Sequence, residues 1–204
     1  MSFTLRSSYK VNVLEAGCDE AGRGCLAGPV VAAAVILHGS YQNSLLNDSK
    51  KLTPSRRDDL RMEIEHNALA WAVGYADNME IDSVNILQAS ILAMHRALSM
   101  LVPQPENIIV DGKCFNSYKD IPYTCIVKGD SLFSSIAAAS ILAKTHRDEM
   151  IMKLHKKYPV YGWDKNKGYA TRMHISTLKQ YGPSDYHRKS FKLKSKQLNL
   201  NFKD

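Results

Sequence analysis

The 204-residue sequence predicts an α/β domain, a mixed β-sheet with helices packed against it. Three observations carry that prediction. Short β-branched or apolar runs recur along the chain, each stopped by glycine or by an acid beside glycine. Between them lie segments whose apolar residues fall at helical spacing. In the second half strands are followed by helices, which implies parallel pairing, while three early strands can form a meander.

Taken in order, residues 13–19 (VLEAGCD) suit a first strand that ends at a glycine cluster. Residues 29–37 (PVVAAAVIL) are short and rich in Val and Ile, which favours a buried strand over a helix. Thr53-Pro54 starts a helix, with a capping hydroxyl and proline at the first helical position, and Leu60, Ile64 and Ala68 follow on one face. Residues 71–76 form a third strand. Asp82 or Ser83 then caps an amphipathic helix striped by Leu87, Ile91, Met94, Leu98 and Leu101, and Pro103 and Pro105 end it. Residues 107–110 (NIIV) and 124–127 (TCIV) are strands running into Asp111-Gly112 and Gly129-Asp130. Asp130 opens a long helix whose first turns are small enough to lie close on a sheet. A last helix falls near residues 174–180.

Composition narrows the functional classes. Hydrophobic residues at 45% and charged residues at 23% exclude wholesale disorder. No apolar run reaches the roughly 18 to 20 residues of a membrane span, and the N-terminus lacks the apolar stretch of a secretory signal. Four cysteines without a CxxC pair read as free thiols of a cytoplasmic protein. The net charge of +7 is unevenly placed. Residues 1–160 carry seventeen basic and seventeen acidic side chains, whereas residues 161–204 carry ten against three. A basic end of this kind suits a polyanion, or serves only solubility.

Asp19, Asp111 and Asp130 each fall at the C-terminal end of a predicted strand, the edge where α/β sheets bind ligands. Acids gathered there repel one another unless a cation neutralises them. Carboxylate oxygens without a His or Cys ligand pattern point to Mg²⁺ or Mn²⁺. Glu20 can join Asp19 only if the strand breaks between them, since neighbours on a strand face opposite sides; Gly22 and Gly24 supply the freedom for such a break. Individually, Asp111 also reads as a turn former, Asp130 as a helix cap and Asp19-Glu20 as a solvated strand end. Gly22-x-Gly24-x-x-Ala27, with Asp48 downstream, fits the dinucleotide fingerprint of an oxidoreductase. That fingerprint needs a helix after its glycines, and a strand is predicted there.

Together these segments resemble the ribonuclease HII family, the type 2 ribonucleases H, from about residue 16 to 191. The matching motifs are GCDEAGRG at 17–24, GPV at 28–30, DSKKL at 48–52, VDG at 110–112, KGD at 128–130, AAASILAK at 137–144, KGYAT at 167–171, and YGPS at 181–184 with His187-Arg188. The resemblance implies a single ribonuclease H-like domain over 1–204, with a central mixed five-stranded sheet flanked by helices. Its basic C-terminal helical and loop extension, about 161–204, would meet substrate. It implies hydrolysis of the RNA strand of RNA–DNA hybrids and incision 5′ of ribonucleotides embedded in duplex DNA, leaving 5′-phosphate and 3′-hydroxyl ends, as in ribonucleotide excision repair. Asp19, Glu20, Asp111 and Asp130 match the family's catalytic acids, which hold two divalent ions. Gly22, Arg23 and Gly24 match its ribonucleotide-recognition loop, Tyr169 its junction-stacking tyrosine, and Lys50 a candidate phosphate contact. The extra N-terminal domain of ribonuclease HIII is not expected, since fewer than 20 residues precede Asp19. A monomer without membrane association is expected, and the family extends to contact with a replication clamp, for which residues 192–204 (KLKSKQLNLNFKD) offer a short candidate segment. Asp164 departs from the small or apolar residue commoner at its position. A binding module without catalysis is the competing reading, which the intact acid quartet opposes.

Overall fold

The computed structural model describes residues 5–46 and 52–191. Five strands, β1 (Glu15–Ala21), β2 (Val30–Ile36), β3 (Ala70–Ala76), β4 (Asn107–Asp111) and β5 (Tyr123–Ile126), form one sheet in the order β3-β2-β1-β4-β5. β1, β2 and β3 are antiparallel neighbours, whereas β4 and β5 run parallel to β1. The predicted meander and parallel half are therefore both present. The strand β2 follows the glycine loop directly, so the helix that a dinucleotide fingerprint requires is absent there.

Helices cover both faces. α1 (Pro54–Asn67) starts as its sequence dictates, with Thr53 accepting from the Arg56 amide and proline in the first turn; Ala68 lies just past its end. α2 (Asn78–Ser99) buries Ile91, Met94 and Leu98 against Ala16, Cys18, Ile108 and Val110. Its start differs from the expectation at Asp82 or Ser83. Asp77 is the N-cap, in a reciprocal capping box with Glu80, and the helix is interrupted at Asn85 (φ 68°, ψ 164°). The Asn85 side chain accepts from the Leu87 and Gln88 amides and so restarts the helix. Asp82 serves elsewhere, accepting from the backbone amides of Lys189 and Ser190 and so tying down the C-terminal segment.

α3 (Ser134–Lys157) covers the opposite face, burying Ala137 to Ala139, Ile141, Leu142 and Ala143. Its cap is Phe133, not Asp130; Asp130 sits in a short 3-10 turn, Gly129–Ser131, ahead of the helix. α3 comes close because β1 offers Gly17 beneath it. A Cβ there would overlap the backbone at Ser135 and Ile136.

The last described segment holds α4 (Trp163–Asn166) and α5 (Arg172–Tyr181), the latter capped by Thr171. Tyr161, Trp163, Ile175 and Leu178 form a separate apolar cluster with Leu26, Ala27 and Ile151. Two buried histidines sit among these rings. His174 takes a hydrogen bond from the Trp163 indole and lies 3.0 Å from His187, while His187 Nδ1 accepts from the Ser184 amide. Among the described residues no helix is long and apolar enough to cross a membrane.

Gly17→Ala should destabilise the fold by about 1–3 kcal/mol or more in chemical denaturation, because both flanking surfaces are backbone and cannot step aside. A pH effect follows from the histidine pair. Burial, then the neighbouring His174, pushes the pKa of His187 down from 6.5 to about 4. Between those values the unfolded chain binds the extra proton and the folded chain does not, so this group's contribution is full above 6.5 and is lost as pH falls toward 4. Asp19 and Glu20, whose pKa values are raised, act in the opposite sense. The diagnostic is thus the difference in thermal midpoint between wild type and His187→Gln, which should narrow from pH 7 to pH 5; a constant difference would contradict it.

Candidate active site

Parallel pairing sets the first two acids side by side. Cys18 pairs with Val110, and Asp19 and Asp111 are the next residue on each strand. Asp130 follows from the turn after β5. Glu20, Asp111 and Asp130 line one cleft of about 380 Å³, whose far wall is Leu87, Ile91 and Met94 of α2. Asp19 is buried beside it, where the Ser140 side chain of α3 draws its pKa down.

The expected break between Asp19 and Glu20 does not occur. β1 stays paired through Ala21, opposite Val31 of β2. The two acids meet for another reason: β4 ends at Asp111, level with Asp19. Glu20 therefore has no strand beside it on that flank, and its side chain opens into the cleft.

These acids are electrostatically crowded. Burial pushes Asp19 well above the usual carboxylate range, and repulsion from Glu20 and Asp111 adds to it; the Ser140 side chain and the Glu20 amide, 2.7 Å from Asp19 Oδ1, act the other way. Glu20 is raised mainly by burial and relieved by Arg23, whose guanidinium lies 3.0 Å away. Asp111 accepts from the Gly129 amide at 2.7 Å. Among the described residues no three acidic, His or Cys side chains stand as a ready-made ligand cluster. The donor set nonetheless fits hard divalent cations, being carboxylate oxygens in a partly buried cleft where added positive charge would relieve repulsion.

Beside the acids lies the loop between β1 and β2. Gly22 adopts φ +94°, and a Cβ there would overlap the Arg147 guanidinium, so the fold itself demands glycine. Gly24 is different. A Cβ on it would meet nothing within 4 Å, so its openness serves whatever approaches from outside. Cys25 forms an antiparallel bridge with Tyr169, and the Leu26 amide donates to Gly168 O at 2.8 Å. Tyr169, 44% exposed, is thereby fixed beside Cys25, the residue that follows Gly24. Lys50 lies outside the described residues.

The sequence assigns no role to two residues that hold this arrangement, although Arg188 falls within the His187-Arg188 match. Arg147, within α3, is fully buried and donates to the carbonyls of Pro29, Lys167 and Ala27. Arg188, nearly as buried, donates to those of Gly28 and Arg23. Of the basic surplus in residues 161–204, Arg188 is thus a structural side chain. Arg147 sits four residues after Ala143 on the buried face, a lone charge in an apolar stripe, and that was its available signal.

Comparison with known proteins agrees with the geometry. The family model described as Ribonuclease HII matches residues 16–194. A ribonuclease HII of Bacteroides thetaiotaomicron is 56% identical over 192 residues, covering 94% of this chain and 96% of the relative. Among solved structures, ribonuclease H2 from Pyrococcus horikoshii superposes with a TM-score of 0.73 at 28% identity, covering 90% of this chain and 96% of that one. The ribonuclease HII of the Archaeoglobus fulgidus PCNA:RNase HII complex gives 0.75 at 27% identity, covering 89% and 96%. An acid-lined sheet edge, a ribonuclease H-like sheet and sequence identity across nearly the whole chain thus converge, and the chain belongs to the ribonuclease HII family of endonucleolytic hydrolases.

Proposed function

We propose that this chain cleaves the RNA strand of RNA–DNA hybrids and incises 5′ of single ribonucleotides in duplex DNA, as an initiating step of ribonucleotide excision repair. The carrying observation is the meeting of Asp19, Glu20, Asp111 and Asp130 at one sheet edge, with the Gly22–Arg23–Gly24 loop and Tyr169 locked beside them. In this reading the four acids hold two divalent ions, Mg²⁺ or Mn²⁺. Such ions supply charge stabilisation for in-line attack by water and for departure of the 3′-oxygen, leaving 5′-phosphate and 3′-hydroxyl ends.

The protein's own groups take distinct parts. Asp19 and Asp111 accept from the amides of Glu20 and Gly129, each at 2.7 Å, which would keep two ligands oriented before any ion arrives. Glu20 and Arg23 hold each other, so Arg23 can exchange its carboxylate for a backbone phosphate as Glu20 turns to the metal. Open space at Gly24 admits the minor groove, where the 2′-hydroxyl marks RNA, and the exposed ring of Tyr169 offers a stacking face at the junction. The basic surplus of residues 161–204 would grip the phosphate backbone. The chain would act as a cytoplasmic monomer. Its clamp contact is proposed because the Archaeoglobus relative was solved with PCNA; the candidate segment 192–204 lies outside the described residues.

A duplex carrying one ribonucleotide should be incised in Mg²⁺ or Mn²⁺ and left intact in EDTA. Binding without cleavage in either metal would favour a non-catalytic module, and cleavage in EDTA would overturn the two-ion chemistry. Asp111→Asn keeps an oxygen to accept from Gly129 but removes a metal-binding charge. Turnover should fall at least about 100-fold, more than loss of a supporting residue costs, with duplex binding little changed.

A further inference from the structure

We propose that Arg147 is a positioning residue for ribonucleotide discrimination, setting the separation between Tyr169 and the Gly22–Gly24 loop. The inference rests on the function proposed above and adds a residue that touches no substrate. Its guanidinium uses all three nitrogens on backbone carbonyls: Nε to Pro29 at 3.0 Å, Nη1 to Lys167 at 2.9 Å and Nη2 to Ala27 at 3.2 Å. Two of these lie on the loop side and one on the Tyr169 side. One rigid planar fork therefore fixes two segments that are far apart in the chain but adjacent in space.

Surrounding contacts show how little slack exists. Gly22 packs so tightly on the Arg147 side chain that a Cβ would overlap it. A Cβ on Gly168 would stand 2.8 Å from Ala27 O and 3.4 Å from Arg147 Nη2. The bridge between Cys25 and Tyr169 and the bond from Leu26 to Gly168 close the same joint from the outer side. Arg188 braces the loop from beneath through Arg23 O and Gly28 O. The loop is thus held by its carbonyls, and the ring of Tyr169 has one place to stand relative to it. A misplacement of about 1 Å in a substrate-positioning group costs on the order of 100-fold in rate.

Glu20, Asp111 and Asp19 are held by Arg23, the Gly129 amide and the Glu20 amide respectively, contacts that do not involve Arg147. Loosening the joint should therefore weaken recognition of a lone ribonucleotide more than hydrolysis of a continuous hybrid. The test is Arg147→Lys, which keeps charge and stem but loses the fork, assayed on a single-ribonucleotide duplex and a long RNA–DNA hybrid. Circular dichroism and a thermal melt establish folding. The ratio of kcat/KM for the two substrates should drop about tenfold or more against wild type. Gly168→Ala, which keeps the guanidinium but pushes the same joint apart chiefly through Ala27 O, should move the ratio the same way and decides the matter if Arg147→Lys does not fold. Equal losses on both substrates in a folded variant would overturn the proposal, since a merely structural arginine lowers both together. Wild type inert on both substrates would instead overturn the proposed function, so the two failures are distinguishable.

Discussion

Crowding of carboxylates at one sheet edge is the constraint on which the rest of the architecture turns. Asp19 is nearly buried and repelled by both Glu20 and Asp111, and an isolated site of that kind drifts toward protonation. The fold answers with fixed donors. α3 must lie close enough to β1 for Ser140 to reach Asp19, and that closeness needs Gly17 in the strand and Ala137 to Ala139 in the helix. The turn at Gly129–Ser131 must present its first amide to Asp111. Arg23 must lean back onto Glu20. Each of these contacts restrains one acid of the crowded set.

A second layer holds the outer wall of the cleft. This layer consists of the loop after β1 and the segment around Tyr169. They are fastened to each other, to Arg147 and to Arg188, and the aromatic cluster around Trp163 fills the space behind Leu26 and Ala27. Burial draws the pKa of Arg188 down to about 10, a sign of how dry this joint is. Rigidity here comes from guanidinium groups paired with carbonyls, because an unpaired carbonyl buried at such a joint would be costly.

Much of this was legible in the chain. Asp111-Gly112 and Gly129-Asp130 mark strand ends because an acid beside glycine cannot continue a buried apolar run; β4 stops at Asp111, and β5 at Ile126, shortly before Gly129. Thr53-Pro54 marks a helix start because hydroxyl capping and a preset φ act within a few residues. The start of α2 was less clear. Asp77 with Glu80 and Asp82 with Ser83 are both plausible caps locally, and packing decided between them by recruiting Asp82 to the distant amides of Lys189 and Ser190. Similarly Asp130 resembles a cap, but the turn that holds it exists to aim Gly129 at Asp111.

By itself, then, the sequence determined the five strands, the principal helices and acids at or near the ends of three strands, since alternation, periodicity and capping are short-range effects. Tertiary structure alone decided how Glu20 enters the site without a break in β1, through the early end of β4 beside it. It alone made Arg147 and Arg188 buried braces for a loop more than 100 residues away. Its place in an apolar stripe marks the Arg147 guanidinium as buried, but not whether water or carbonyls pair with it. Only the packing of α3 over the loop, with glycines at 22 and 168 leaving room, fixes which of the two it meets.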